Sequence, residues 1–589
     1  MKSLIIQIVR EVWEPMSASA VSNHLTMIPP LPGGGGRGEI SPKTDSRIEL
    51  LNRLSYGAQL CGWAKGHQPQ HSQKFGPAAA GLRHSRAPET VHGEGEPLKS
   101  RYEAHIYRLA KCAIISLLLA FLAGCAVGPN YQPPKTAAPS QWTSHLAGGE
   151  TNAPIELATW WKSFGDTNLD SMMVTAEQSN LTLRVAEDRV REARAEKAVV
   201  SGGLWPSVGS SASYSRNRYG EHEFPPLSGF GVPLAYDLYN ASFDATWELD
   251  IFGGTRRAIE AAHAQIGAAE FGERDVLISL LAEVARNYIR ARAYQRRLEI
   301  TRENIQVEQQ VLDLTTNRFE NGLGSDVDVQ QARALLNTTE AQVPSLQTGF
   351  DESVFHLAVL LGQAPGALTD NISTKEPIPL TPPLVPVGLP SDLLQRRPDV
   401  QQAERQLAAA TAQIGVAKAD LFPKFSLTGL AGVQSVSPGN WFQYASRYWQ
   451  VGPTVQWQLF AAGSIVANVH VQNARQEQAL NNYKQTVLTA LEDTESALTA
   501  YAREQVRRES LSKSVDADRQ ALSLSAQLYK NGLEDFLRVL DSETSLYSAE
   551  DALVQSDQTV STDLVQLYKA LGGGWEVPAD STVAKADGN

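Results

Sequence analysis

The run P-S-D-L-L-Q-R-R-P-D-V-Q-Q-A-E-R-Q-L-A-A-A-T-A-Q-I-G-V-A-K-A-D-L-F-P-K-F-S-L-T-G, residues Pro390 to Gly429, decides how the chain is read. Pro398 is well suited to the first position of a helix, and Asp399 and Glu404 lie near that helix's positive end. The helix must stop before Pro423, after which an alternating strand begins. A long helix that feeds directly into a strand is the organising event of this half of the chain.

The same junction occurs earlier. Leu421-Phe422-Pro423 echoes Leu204-Trp205-Pro206, 217 positions before it. Trp457-Gln458-Leu459-Phe460 echoes Trp247-Glu248-Leu249-Asp250, Asn531-Gly532-Leu533 echoes Asn321-Gly322-Leu323, and Leu571-Gly572 echoes Leu361-Gly362, each 210 positions apart. Conserved order and spacing over this distance predict a duplicated unit of helix, β-hairpin and long helix pair. The expected repeats are residues 160–375 and 398–574, joined by a Pro-rich connector at 376–397 and followed by a flexible tail at 575–589.

The strands carry a two-sided code. Ala241, Phe243, Ala245, Trp247 and Leu249 alternate with Ser242, Asp244, Thr246, Glu248 and Asp250. In the second hairpin Trp449, Val451, Val455, Trp457 and Leu459 alternate with Gln450, Thr454, Gln456 and Gln458. Apolar and polar faces with aromatic residues near the ends are the pattern of transmembrane β-strands. The hairpins are expected at about 204–252 and 421–460. Phe243, Trp247, Trp449 and Trp457 would face lipid, and Asp244, Glu248, Asp250, Gln450, Gln456 and Gln458 would line an aqueous lumen.

Outside the hairpins the apolar period becomes helical. A helix is predicted from about 169 to 200, and another from about 255 to 318. In the latter, Leu277, Leu281, Val284, Tyr288, Ala291 and Leu298 follow coiled-coil spacing. A returning helix over 326–361 should be kinked by Pro344. Helices this long exceed what a compact soluble domain needs.

The 589 residues carry a net charge of −12, which argues against nucleic acid as a partner. Three cysteines give neither an even disulfide set nor metal-ligand spacing. There is no paired-carboxylate, Ser/His/Asp or phosphate-cradling pattern in a supporting context, so neither enzymatic chemistry nor a cofactor is expected. Residues 1–107, rich in Gly, Pro, Ser and His, are expected to be a disordered extension or to precede the true start of translation. Arg108 and Lys111, the apolar run Ala113–Leu122 and Leu122-Ala123-Gly124-Cys125 then form an export signal over 108–124. Residues 125–159 would be an extended tether.

Four strands cannot close a barrel, and open edges within a membrane are costly, so other copies of the chain must complete it. Two, three or four copies would all give even strand counts.

The Pro390–Gly429 run resembles the hallmark of the outer-membrane efflux channel lipoproteins, the TolC/OprM-like, NodT-type outer-membrane factors. Leu122–Cys125 resembles a lipobox, C-A-V-G-P-N-Y-Q-P-P resembles the family's mature start, and W-W-K-S-F-G-D-T-N-L-D-S-M-M (160–173) resembles its opening. The resemblance implies an α+β membrane protein: a homotrimer with a twelve-stranded β-barrel and a periplasmic coiled-coil α-barrel. It implies acylation of Cys125 and anchorage in outer-membrane lipid. It also implies a periplasmic adaptor and a proton-driven inner-membrane pump of the RND type as partners, with drugs or toxic organics as cargo. Carried over from the family, Tyr529, Leu537 and Asp541 form a periplasmic gate, with Asp328 as a latch partner. Where OprM-like members place an arginine three residues after the aspartate, this chain has Thr544. The alternatives are a duct for type I protein secretion and, from another class, a lipid-anchored coiled-coil scaffold without a pore.

Overall fold

The computed structural model describes residues 126–135, 139, 141–143, 150–151, 157–220, 235–372, 374–379, 385–386 and 390–575. Cys125, the export signal, the 1–107 segment and residues 576–589 of the expected tail lie outside the described residues.

A 3-10 turn at Trp160–Phe164 opens the first half, followed by α1 (Thr167–Ser179) and α2 (Leu181–Gly202). One continuous helix was expected here, and Asn180 divides it. Its backbone is extended (ψ 127°), its side-chain oxygen accepts from Leu183 N, and its Nδ2 donates to the Leu360 carbonyl. An asparagine that caps a new helix competes with the backbone bonds of the old one.

Strands β2 (Ser207–Arg218) and β3 (Ala235–Leu249) follow, then α3 (Gly254–Glu320), α4 (Asp326–Glu340) and α5 (Gln342–Leu360). The expected kink falls at Ala341 rather than at Pro344, because the proline ring conflicts with the carbonyl four residues before it. Two short helices, α6 (Thr369–Ile372) and α7 (Pro390–Arg396), lead to α8 (Pro398–Ala419). Pro398 occupies its first turn as predicted. Strands β5 (Lys424–Ser435) and β6 (Arg447–Gln456), α9 (Ser464–Lys530) and α10 (Phe536–Ala570) complete the second half. One pairing was absent from the sequence reading. The two-residue strands β1 (Glu150–Thr151) and β4 (Val385–Pro386) pair in parallel, bringing the tether to the connector.

Helices α3 and α9 are each 67 residues long, about 100 Å at helical rise. Glycines mark equivalent corners of both halves in the left-handed region: Gly253 and Gly463 (φ 78° and 80°), Gly322 and Gly532 (73° and 71°), Gly362 and Gly572 (69° and 76°). A side chain there would be strained, which accounts for glycine at each of these repeated turns.

The main core gathers where α1, α3, α5, α8, α9 and α10 meet. Trp160 stacks on Tyr568 with ring centroids 5.2 Å apart, and Tyr288, Ile289, Leu357, Leu498 and Leu564 are buried around them. Arg292, 1% exposed, runs through this core and donates to Glu376 Oε2 at 2.6 Å and to the carbonyls of Ile372 and Thr374. Arg397 does comparable work in the second half, holding Asp399, Asp493 and the Ala570 carbonyl.

Candidate functional site

The four long strands form one antiparallel sheet in the order β2-β3-β5-β6. Its register carries the sequence code across both hairpins. Ser210, Phe243, Ala431 and Trp449 lie in one row, as do Val208, Ala245, Gly429 and Val451; Trp247 aligns with Leu427 and Pro453, and Leu249 with Phe425 and Val455. The intervening rows are Gly209, Asp244, Leu430 and Gln450, then Ser207, Thr246, Thr428 and Gly452, then Glu248, Ser426 and Thr454. Rows one residue apart face opposite sides. Phe243 and Trp449 therefore share an apolar face, 65% and 76% exposed, while Asp244, Glu248 and Gln450 share the polar one. The two outermost strands, β2 and β6, leave their outer edges unpaired among the described strands.

Four residues expected on the strands, Leu459 among them, lie beyond them. Trp457 and Gln458 follow the end of β6. Asp250 follows β3 and faces the helix start instead of extending the polar face: Thr255 N and Arg256 N donate to its carboxylate at 3.1 and 2.9 Å, and Arg256 Nε adds a contact at 3.2 Å. The carboxylate stabilises the positive end of a helix that lacks a capping side chain at Gly253. Gln456 keeps its place opposite Lys424 at the base of the sheet.

At that base the chain that follows Cys125 is held against the strand-to-helix corner. Val127 N donates to the Phe252 carbonyl at 3.0 Å, and buried Arg257 donates to the carbonyls of Val127 and Gly128 and to Asn130 Oδ1. A β-carbon on Gly253 would stand 2.6 Å from Ala126 Cα, so only glycine admits this approach. No signal in the sequence singled out Arg257 for this role.

The opposite ends of α3 and α9 turn at Asn321–Gly324 and Asn531–Gly532. Of the four gate candidates, the structure puts Leu537 and Asp541 together: they are one helical turn apart and both exposed on α10. Tyr529, on α9, is buried against the other side of α10. It is 8% exposed, packs on Phe536 (5.5 Å between ring centroids) and lies under the Arg318 guanidinium at 4.6 Å. Burial pushes its phenol above the usual value, with Arg318 opposing and Asp328 adding to the rise. Asp328 is engaged locally, accepting from Ser325 N at 3.1 Å in a capping box at the start of α4. Within one chain the Tyr529 ring also makes a cation–π contact with Arg318 that the sequence reading missed.

The outer membrane efflux protein family matches this chain over residues 172–363 and again over 389–573. The chain belongs to the outer membrane efflux protein family. It is 31% identical over 496 residues to Nodulation protein T of Rhizobium leguminosarum bv. viciae, covering 82% of this chain and 98% of that one. To the pyoverdine export outer membrane protein OpmQ of Pseudomonas aeruginosa it is 32% identical, covering 79% and 97%. The outer-membrane channel OprN superposes with a TM-score of 0.71 at 36% identity, covering 77% of this chain and all of that one. As a family member the protein is the exit duct of an efflux system, located in the outer membrane and extending into the periplasm. Among the described residues no helix is long and apolar enough to cross a membrane.

Proposed function

We propose that three copies of this chain close a twelve-stranded barrel through the free edges of β2 and β6. The barrel would conduct small molecules, such as drugs or toxic organics, from an inner-membrane pump to the exterior. The single observation that carries this reading is the sheet itself: four strands with one apolar and one polar face and two open edges. In lipid those edges require partners, and copies of the same chain supply them without new chemistry. The polar face then lines water and the apolar face meets lipid. The long helices would extend into the periplasm, where an adaptor and an RND-type pump engage them.

Cys125, immediately before the segment clamped by Arg257, is the proposed acylation site, and the clamp holds the anchored end at the base of the sheet. Leu537 and Asp541 are the proposed constriction, and Tyr529 supports it from within its own hairpin. No enzymatic step and no cofactor belongs to this mechanism. The test is to reconstitute the full chain in planar bilayers and weigh the extracted assembly by native mass spectrometry. A trimer with discrete conductance steps is expected; a monomer, or a trimer without conductance, rejects the duct.

A further inference from the structure

Within one chain the two helical hairpins meet along a seam between α3 and α10. Polar pairs recur along it. Arg297 Nε donates to Asp551 Oδ1 at 2.6 Å, and the Thr301 and Tyr547 hydroxyls lie 3.1 Å apart. Nearer the tips come two carboxyls, Glu308 of α3 and Glu543 of α10, each 2% exposed. Beyond them is the apolar tip cluster of Ala332, Tyr529, Phe536, Val539 and Leu540.

The acid pair is incompletely satisfied. Glu308 Oε1 accepts from Asn304 Nδ2 and Thr339 Oγ1, both at 2.8 Å. Glu308 Oε2 and both oxygens of Glu543 are buried without a hydrogen-bond partner. No ion pair reaches either residue among the described residues. Two negative charges in that setting are costly, and a retained proton relieves the cost.

We propose that Glu308 and Glu543 form a proton-dependent latch between the two helical hairpins, tight while at least one of them is protonated and loosened when both ionise. Burial pushes Glu543 up to about 7, and the charge of Glu308 adds to the rise. Burial also raises Glu308, against the bonds from Thr339 and Asn304, and Glu340 of α4 adds to it. The other charges nearby, Arg297 and Asp551, are paired with each other. On α9, Leu522 packs against the tip cluster and Ser525 is buried, and Arg519, which reaches α10, pairs with Glu550 and Asp516. A raised acid pKa gives stability that is full below the ordinary value of 4.5 and is lost as pH rises through about 7. Across that window the ratio of loosened to tight seam should rise on the order of a hundredfold. Since α10 carries Asp541 and Leu537 within two turns of Glu543, alkalinity would favour movement at the tip. That last consequence rests on the duct reading; the seam itself does not.

The test is hydrogen exchange of the full-length assembly in detergent at pH 5.5 and 8.0, corrected for intrinsic rates, over peptides spanning 301–312 and 536–547. In the wild type both peptides should lose protection at the higher pH. Glu543→Gln, uncharged and of equal size, should keep both protected at both pH values, and Glu543→Leu should do the same if the glutamine variant assembles poorly. Unchanged exchange in the wild type, or the same pH response in both variants, overturns the latch. So does a chelator that reproduces the high-pH state at pH 5.5, which would assign the site to a metal ion. Conductance recorded on the same samples separates the two readings: pH-dependent exchange without conductance rejects the duct and leaves the latch.

Discussion

The indole Nε1 of Trp457 donates to the carbonyl oxygen of Leu421, 3.2 Å away, and in the other half Trp247 does the same to Leu204 at 2.9 Å. Each bond ties the end of one hairpin's second strand to the turn that precedes its first. Trp457→Phe and Trp247→Phe keep the aromatic surface and remove the donor. Each should cost about 1 kcal/mol, and because the sites are distinct the double variant should cost roughly the sum. Thermal melting of the extracted assembly checks this; a double variant no worse than either single one would show that the bonds do not act independently.

Phe243 and Asp244 are neighbours in sequence on opposite faces of the sheet, which gives a paired test of the proposed pore wall. Phe243→Lys places a charge on the face assigned to lipid and should destabilise insertion by roughly 2–4 kcal/mol near the midplane. Asp244→Lys should leave assembly intact and shift conductance toward anions. Membrane-fraction yield and reversal potential report the two outcomes, and equal loss of yield from both would reject the assignment of faces.

The alternation was readable because a strand's period of two survives in any sequence with one wet side: in the register Phe243 shares a row with Trp449, and Asp244 with Gln450 in the next. The repeat was readable because its corners need left-handed backbone, which restricts them to glycine. What was not readable was how charge is shared across distant segments. Asp250 fits the alternation of its strand, yet the chain turns one residue earlier and a helix N-terminus takes the carboxylate. Arg318 and Tyr529 are 211 residues apart, and no local pattern relates them. Glu543 did leave a trace, falling three and four residues after buried Leu540 and Val539, where a helix facing a core would place an apolar residue.

Arg292 is the long helix's tie to the connector. Its guanidinium meets Glu376 and two backbone carbonyls, and the Tyr288 hydroxyl reaches Asp166 at 2.8 Å beside it. Arg292→Met fills much of the space but takes the donor from the Thr374 carbonyl and the cation from Glu376, while the Ile372 carbonyl keeps its bond from Gln295 Nε2. A loss of about 3 kcal/mol is expected, comparable to breaking a buried charge pair. Glu376→Gln, on the more exposed partner, should cost less. Limited proteolysis of the 376–397 connector, together with melting, ranks the two; a glutamine variant worse than the methionine one would reverse the assignment of the anchor.

At the tip, burial separates residues that the family resemblance had grouped. Leu537 and Asp541 lie on the exposed face of α10, free to meet their counterparts in other copies, whereas Tyr529 is enclosed by Phe536 and Arg318 of its own chain. Three Asp541 carboxylates around one axis would attract cations and repel anions. Asp541→Ala should therefore weaken cation preference with little effect on melting. Tyr529→Ala should remove buried aromatic surface and the cation–π contact together, costing roughly 3–5 kcal/mol and loosening the tip in every copy. Tyr529→Phe keeps the ring over which Arg318 sits and should behave almost as the wild type. Single-channel selectivity and melting measured on all three variants separate a ring that filters ions from a ring that holds the hairpin. If Asp541→Ala leaves selectivity untouched, the constriction lies elsewhere on the α10 face.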